Sequence, residues 1–153
     1  MPVEKSAGAV VFREENGKIY YLLLNYSAIG KVEKTYWGFS KGRVETGEGE
    51  IETVKREIKE ETGIEDAQLI AGFKKTEKYF FKFQGKNILK FATFYLVKTN
   101  TREIQLSSEH VGYKWLTYQE AIEQLTFKNS KEILEKANNF LLTKERKYGK
   151  KRL

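Results

Sequence analysis

Apolar positions along this chain follow two periods, and they change over three times. Ala7–Phe12 (AGAVVF) and Ile19–Tyr26 (IYYLLLNY) read as strands, with Glu14–Lys18 as the turn between them. Ala28–Thr35 reads as a polar loop, followed by a short aromatic strand, Tyr36–Phe39, that leads into Ser40-Lys41-Gly42. The period then becomes helical. Ile51, Val54 and Ile58 form an apolar stripe, and Gly63 supplies a helix stop because glycine enters the left-handed region at little cost. Strand patterning returns in Ala67–Phe83 and Ile88–Lys98, with Gln84-Gly85 as their turn, and again in Gly112–Leu116. Thr117–Leu125 and Asn129–Leu142 are amphipathic and helical, with Thr117 as N-cap. Strands, then a helix, then strands, then helices predict a mixed sheet sandwiched by helices.

The length of 153 residues suits one domain, set here at 1–143, with a basic tail at 144–153. The tail, Lys144–Leu153, carries most of the net charge of +7. The rest is close to balance, so the domain is not a basic nucleic-acid module, and only the tail would suit contact with a polyanion. There is no cysteine, hence no disulfide framework and no thiolate metal site. No apolar run reaches the length of a membrane span and no signal-peptide layout is seen, so a cytoplasmic protein without membrane contact is expected. Nothing in the sequence sets an oligomeric state.

The chemistry is concentrated in Gly42–Ile64 (GRVETGEGEIETVKREIKEETGI). Glu57, Glu60 and Glu61 stand at i, i+3 and i+4, which puts three carboxylates on one side of a helix. Like charges at that spacing destabilise a bare helix, and a hard divalent cation with oxygen ligands is the natural compensation. Glu48 lies too far back to share that face.

The spacing resembles the Nudix box, G-x5-E-x7-R-E-U-x-E-E-x-G-U with U aliphatic, and every specified position matches. The resemblance implies an α/β fold of the Nudix type, a mixed sheet in an α/β/α sandwich, and attack of water on a nucleoside diphosphate linked to another group. It implies Mg²⁺, with Mn²⁺ as a substitute, held by Gly42 through its backbone carbonyl and by Glu57, Glu60 and Glu61. The same glutamates would be catalytic, Glu60 as ligand or base. It also implies a supporting ion pair between Glu48 and Arg56.

A second run, Leu106–Leu116 (LSSEHVGYKWL), together with Gly72-Phe73-Lys74, narrows the resemblance to asymmetrically cleaving dinucleoside tetraphosphate hydrolases. That branch implies Glu109 as a further acid at the metal, and Tyr79 and Phe127 as aromatics beside a nucleoside. Lys41 is placed by the motif to meet phosphate, with Lys128 as another candidate and His110 as either a phosphate contact or a structural histidine. The branch has Pro-Lys-Gly before the box, where this chain has Ser40-Lys41-Gly42, and proline would fix φ while serine loosens the turn. The expected substrate is a small nucleotide, diadenosine tetraphosphate giving ATP and AMP. Competing readings are oxidised nucleoside triphosphates, inositol pyrophosphates or RNA 5′-triphosphate ends, and a noncatalytic RNA-binding module of the same fold, which the intact box glutamates disfavour.

Overall fold

The structure is a computed structural model that describes residues 2–28 and 31–149; the side chains of 28, 31–33 and 145–149 lie outside the described set, as do Ile29, Gly30 and the tail residues 150–153. Seven strands form one mixed sheet: β1 (Val3–Glu15), β2 (Lys18–Ala28), β3 (Lys31–Gly38), β4 (Ser40–Arg43), β5 (Gln68–Phe83), β6 (Lys86–Lys98) and β7 (His110–Leu116). The order is β3-β2-β1-β6-β5, with β4 also paired to β1 and β7 to β2. Among the described residues, only the β1–β6 pairing is parallel; the others are antiparallel.

The central strands are apolar on both faces, which is why they read as unbroken runs rather than alternating ones. Because side chains alternate, Val10 and Phe12, Tyr21 and Leu23, and Phe94 and Leu96 point to one face. There they meet Ala121 of α2 (Tyr118–Gln124) and Ile133, Leu134 and Ala137 of α3 (Lys128–Gly149). Ala9, Val11, Leu22, Leu24 and Val97 point to the other face, against Val54 and Ile58 of α1 (Glu50–Thr62). The result is the expected three-layer sandwich.

Local signals act as anticipated at several ends. Gly63 closes α1 at φ 76°, with its N–H donated to the Lys59 carbonyl at 2.9 Å. Thr117 caps α2 in a reciprocal capping box with Glu120.

Four expectations change. Lys31–Thr35 is strand, not polar loop: β3 pairs along β2, with Asn25 opposite Trp37 and Ser27 opposite Thr35, and so covers the open edge of β2. Ile51 is exposed (42%), because the buried face of α1 runs through Thr53, Val54, Ile58, Glu61 and Thr62. Ser40 does not loosen a turn; it opens β4, opposite Ala9. Helix α3 continues past Leu142 into the basic segment as far as Gly149.

Candidate active site

Helix α1 lies against β1 and β4, and this contact builds one acidic cavity. Its volume is about 330 Å³, and it is lined by Lys41, Gly42 and Arg43 of β4, Glu57, Glu60 and Glu61 of α1, and Ser107, Ser108 and Glu109. All four acids singled out in the sequence are therefore brought together. The last three residues arrive through the end of α1. Gln105 donates its N–H to the Thr62 carbonyl at 2.9 Å and Ser107 donates to the Glu61 carbonyl at 3.3 Å. Two carbonyls that a helix end leaves unpaired thus hold the loop carrying Glu109 beside the box helix.

The acids differ in burial and in partners. Glu61 is buried (3%). Its Oε1 accepts from Ser40 Oγ at 2.8 Å and from the Lys41 N–H at 3.1 Å. Its Oε2 lies 2.9 Å from His110 Nε2 and 3.4 Å from the Tyr26 hydroxyl. The histidine contact is close, yet Nε2 has no partner in hydrogen-bond geometry. The contact is an approach between two buried groups rather than an aligned bond. Nδ1 of the same ring meets Ser107 Oγ at 2.9 Å. With its side chain fully buried, His110 does not face the cavity as a phosphate contact would; it lies beneath Glu61.

Glu57 faces Gly42 closely. A Cβ on Gly42 would stand 2.0 Å from the Glu57 carboxyl carbon, so only a glycine there leaves that carboxylate its place. Burial first, then the charge of Glu61, push Glu57 above the usual carboxylate range, while Arg56 pulls against them. Glu60 is the outermost acid of the three.

Arg56 fixes the loop before the helix, as expected. Its Nε and Nη2 reach both oxygens of Glu48, at 2.7 and 3.0 Å, and Nη2 also donates to the Arg43 carbonyl at 3.0 Å. Its Nη1 donates to Glu57 Oε1 at 2.8 Å. The guanidinium, followed by the Thr53 hydroxyl, pulls Glu48 down to about 2. A planar five-donor fork can serve so many acceptors at once, which a lysine ammonium cannot.

The nucleoside candidates lie outside the acidic cavity. Thr126 is bound to Trp37 in both directions, by its Oγ1 accepting from the Trp37 N–H at 2.8 Å and its N–H donating to the Trp37 carbonyl at 3.4 Å. This brings the exposed Phe127 against Tyr36, ring centroids 5.4 Å apart. Tyr36 stacks in turn on Tyr26 at 4.9 Å, and Tyr26 meets His110 edge-on at 4.4 Å. An aromatic row thus leads from beneath Glu61 to the surface. Burial, then Glu61 and Glu109, push the Tyr36 hydroxyl up, which puts it in the field of both acids. Tyr79 is half-buried, with Lys90 Nζ 5.9 Å above its ring, and burial, then the charge of Glu77, push its hydroxyl up. Lys128, the first residue of α3, is exposed and is not among the residues lining the cavity. Lys41 is held below the usual lysine range by burial and by Lys90.

Sequence reading did not find Tyr26, Tyr36 or the hydrogen bond of Ser40. Tyrosines in a strand carry no signal for a site until β2, β3 and β7 are seen side by side.

The comparisons with known proteins agree with this geometry. The family model of the NUDIX domain matches residues 3–137. The chain belongs to the Nudix family. It is 35% identical over 145 residues to the mouse bis(5′-nucleosyl)-tetraphosphatase [asymmetrical], covering 90% of this chain and 95% of the mouse protein. The Caenorhabditis elegans protein of the same name is 35% identical over 140 residues, covering 91% and 97%. A crystal structure of a C. elegans Ap4A hydrolase binary complex superposes with a TM-score of 0.77 at 33% identity, over 92% of this chain and 98% of that one.

Nudix hydrolases use a divalent metal, and the donors here fit one: a cavity rich in carboxylate oxygen, with Glu57 raised partly by the charge of its neighbour. Among the described residues, no three His, Asp or Glu side chains form a ready-made cage. Glu57 is turned to Arg56, and Oε1 of Glu61 is already bonded to Ser40 and Lys41. A site completed by water and substrate phosphate, rather than by protein alone, suits that arrangement. No helix among the described residues is long and apolar enough to cross a membrane.

Proposed function

We propose that this Nudix hydrolase cleaves dinucleoside polyphosphates, diadenosine tetraphosphate to ATP and AMP, with Mg²⁺ as the metal and Mn²⁺ as a substitute. The observation that carries the reading is the convergence of Glu109, 45 residues beyond the end of the box at Ile64, with Glu57, Glu60 and Glu61 on one cavity. The relatives named as asymmetrical tetraphosphatases support the substrate class.

Glu57 and Glu61 serve as primary metal ligands in this reading, with Gly42, Glu60 and Glu109 completing the site. A bound divalent cation supplies charge neutralisation on the phosphates and a water of lowered pKa. The protein's own groups do the positioning, which is most of what phosphoryl transfer requires. Lys41 meets a phosphate at the cavity wall, and Lys128 stands further out. Phe127, with Tyr36 behind it, and Tyr79 give a nucleoside flat apolar contact, worth about 1–3 kcal/mol per stacked base. Glu60, the most exposed of the three box acids and paired to Arg56 Nη1 at 3.3 Å, acts as ligand or base. Arg56 and Glu48 keep the box loop in place, and His110 backs Glu61.

The test is turnover with Mg²⁺ and with Mn²⁺ on a panel: diadenosine tetraphosphate, an oxidised nucleoside triphosphate, an inositol pyrophosphate and a 5′-triphosphorylated RNA. The expected result is the highest kcat/KM on the dinucleotide. Preference for any other member would overturn the substrate assignment.

A further inference from the structure

The two oxygens of Glu61 are held unequally. Oε1 accepts twice, from the Ser40 hydroxyl at 2.8 Å and from the Lys41 N–H at 3.1 Å, which uses both lone pairs of that oxygen. Oε2 has close neighbours but no short, aligned donor. His110 Nε2 stands 2.9 Å away out of hydrogen-bond alignment, and the single Tyr26 proton is given at 2.5 Å to the Phe39 carbonyl rather than across 3.4 Å to Glu61. Ser40 itself is buried (2%). Proline, the residue of the resembling branch at this place, has no side-chain donor.

We propose that Ser40 is a positioning residue for Glu61: its hydroxyl, with the Lys41 N–H, anchors Oε1 and so fixes the orientation in which the carboxylate meets a cation. Glu61 is then presented in one orientation before any cation arrives. A carboxylate freed from Ser40 can rotate about its terminal bond, a soft torsion with broad preferences. Orientation held in advance would then have to be acquired on binding.

This inference rests on the reading of Glu61 as a metal ligand, so the experiment includes a measurement that needs no substrate. Parent, Ser40→Ala and Ser40→Thr are compared in Mn²⁺ binding followed by electron paramagnetic resonance without nucleotide, in kcat and KM for diadenosine tetraphosphate, and in Tm. The expected result for Ser40→Ala is Mn²⁺ affinity lower by about fivefold or more and kcat lower by about tenfold, with KM within about twofold of the parent. Ser40→Thr keeps a hydroxyl and should recover most of both losses. Parent-like Mn²⁺ binding and kcat in Ser40→Ala would overturn the proposal. So would a Ser40→Thr variant as stable as the parent yet as impaired as Ser40→Ala, or an Ala deficit that disappears on cooling well below its Tm. If the parent binds Mn²⁺ but leaves the dinucleotide intact, the substrate assignment fails, and the Mn²⁺ comparison still decides the role of Ser40.

Discussion

Adding one methyl group at Gly42 should disable the site without unfolding the protein. The Cβ of an alanine there would lie 2.0 Å from both the carboxyl carbon and Oε1 of Glu57, and 2.5 Å from its Cγ. Ordinary contact begins near 3.5 Å, so the carboxylate has to move by roughly 1.5 Å. What moves is the end of a flexible side chain. Gly42 also does not have a positive φ, so alanine brings no backbone strain at that position. Folding should therefore change little, the loss of the Arg56 contact with Glu57 being set against the about 0.4–1 kcal/mol that Gly→Ala gains through the unfolded chain. Catalysis should change much more, because a misplacement of about 1 Å can cost about 10²-fold. The assay is the initial rate at saturating diadenosine tetraphosphate and divalent metal, with Tm measured in parallel. Gly8→Ala is the contrasting control: its Cβ would meet the Ser40 carbonyl oxygen at 2.3 Å and Lys41 Cα at 2.9 Å, backbone that cannot swing aside, so stability should fall. A Gly42→Ala protein with the parent's Tm and a kcat within about threefold of the parent would refute the reasoning.

Glu57→Gln and Glu61→Gln should each lower kcat by about 10²-fold or more with the fold intact, since a neutral amide does not replace a charged ligand for a hard cation; circular dichroism and steady-state rates check both halves. The Glu48–Arg56 pair should make stability depend on acid pH. Arg56 holds the folded Glu48 pKa at about 2, below its ordinary 4.5. A depressed carboxylate stabilises fully above the unfolded value and loses that contribution as pH falls toward the folded one. The Tm gap between the parent and Glu48→Gln should therefore be widest above pH 5 and close between about pH 4.5 and pH 2; a gap constant over that window would show that the pair is not the cause.

The box and its surroundings were legible in the sequence because each signal there is local. Three carboxylates at helical spacing, the Gly63 stop and the Thr117 cap depend on residues within a turn or so of one another, and the structure keeps them all. The Glu48–Arg56 pair also came through, eight residues apart. Most of what failed at the site depended on contacts between elements distant in the chain. Lys31–Thr35 looks polar and loop-like alone, and becomes strand because β2 offers it an edge. Ser40 reads as a missing proline until Glu61, 21 residues on, is found above its hydroxyl. His110 shares a motif with Glu109, yet successive side chains at the start of a strand part ways. Glu109 turns to the cavity, and His110 turns inward under Glu61. Tyr26 and Tyr36 are ordinary strand aromatics until their rings are seen stacked beside the acids.

The central claim is asymmetric cleavage, and hydrolysis of diadenosine tetraphosphate in ¹⁸O-water with both products weighed by mass spectrometry tests it most directly. One acidic cavity stands beside one aromatic row ending at Phe127, so the reacting phosphorus should lie at a fixed distance from the held nucleoside. The expected products are ATP and AMP in equal amounts, with all of the label in one of the two. Two molecules of ADP, or label divided between ATP and AMP, would contradict it.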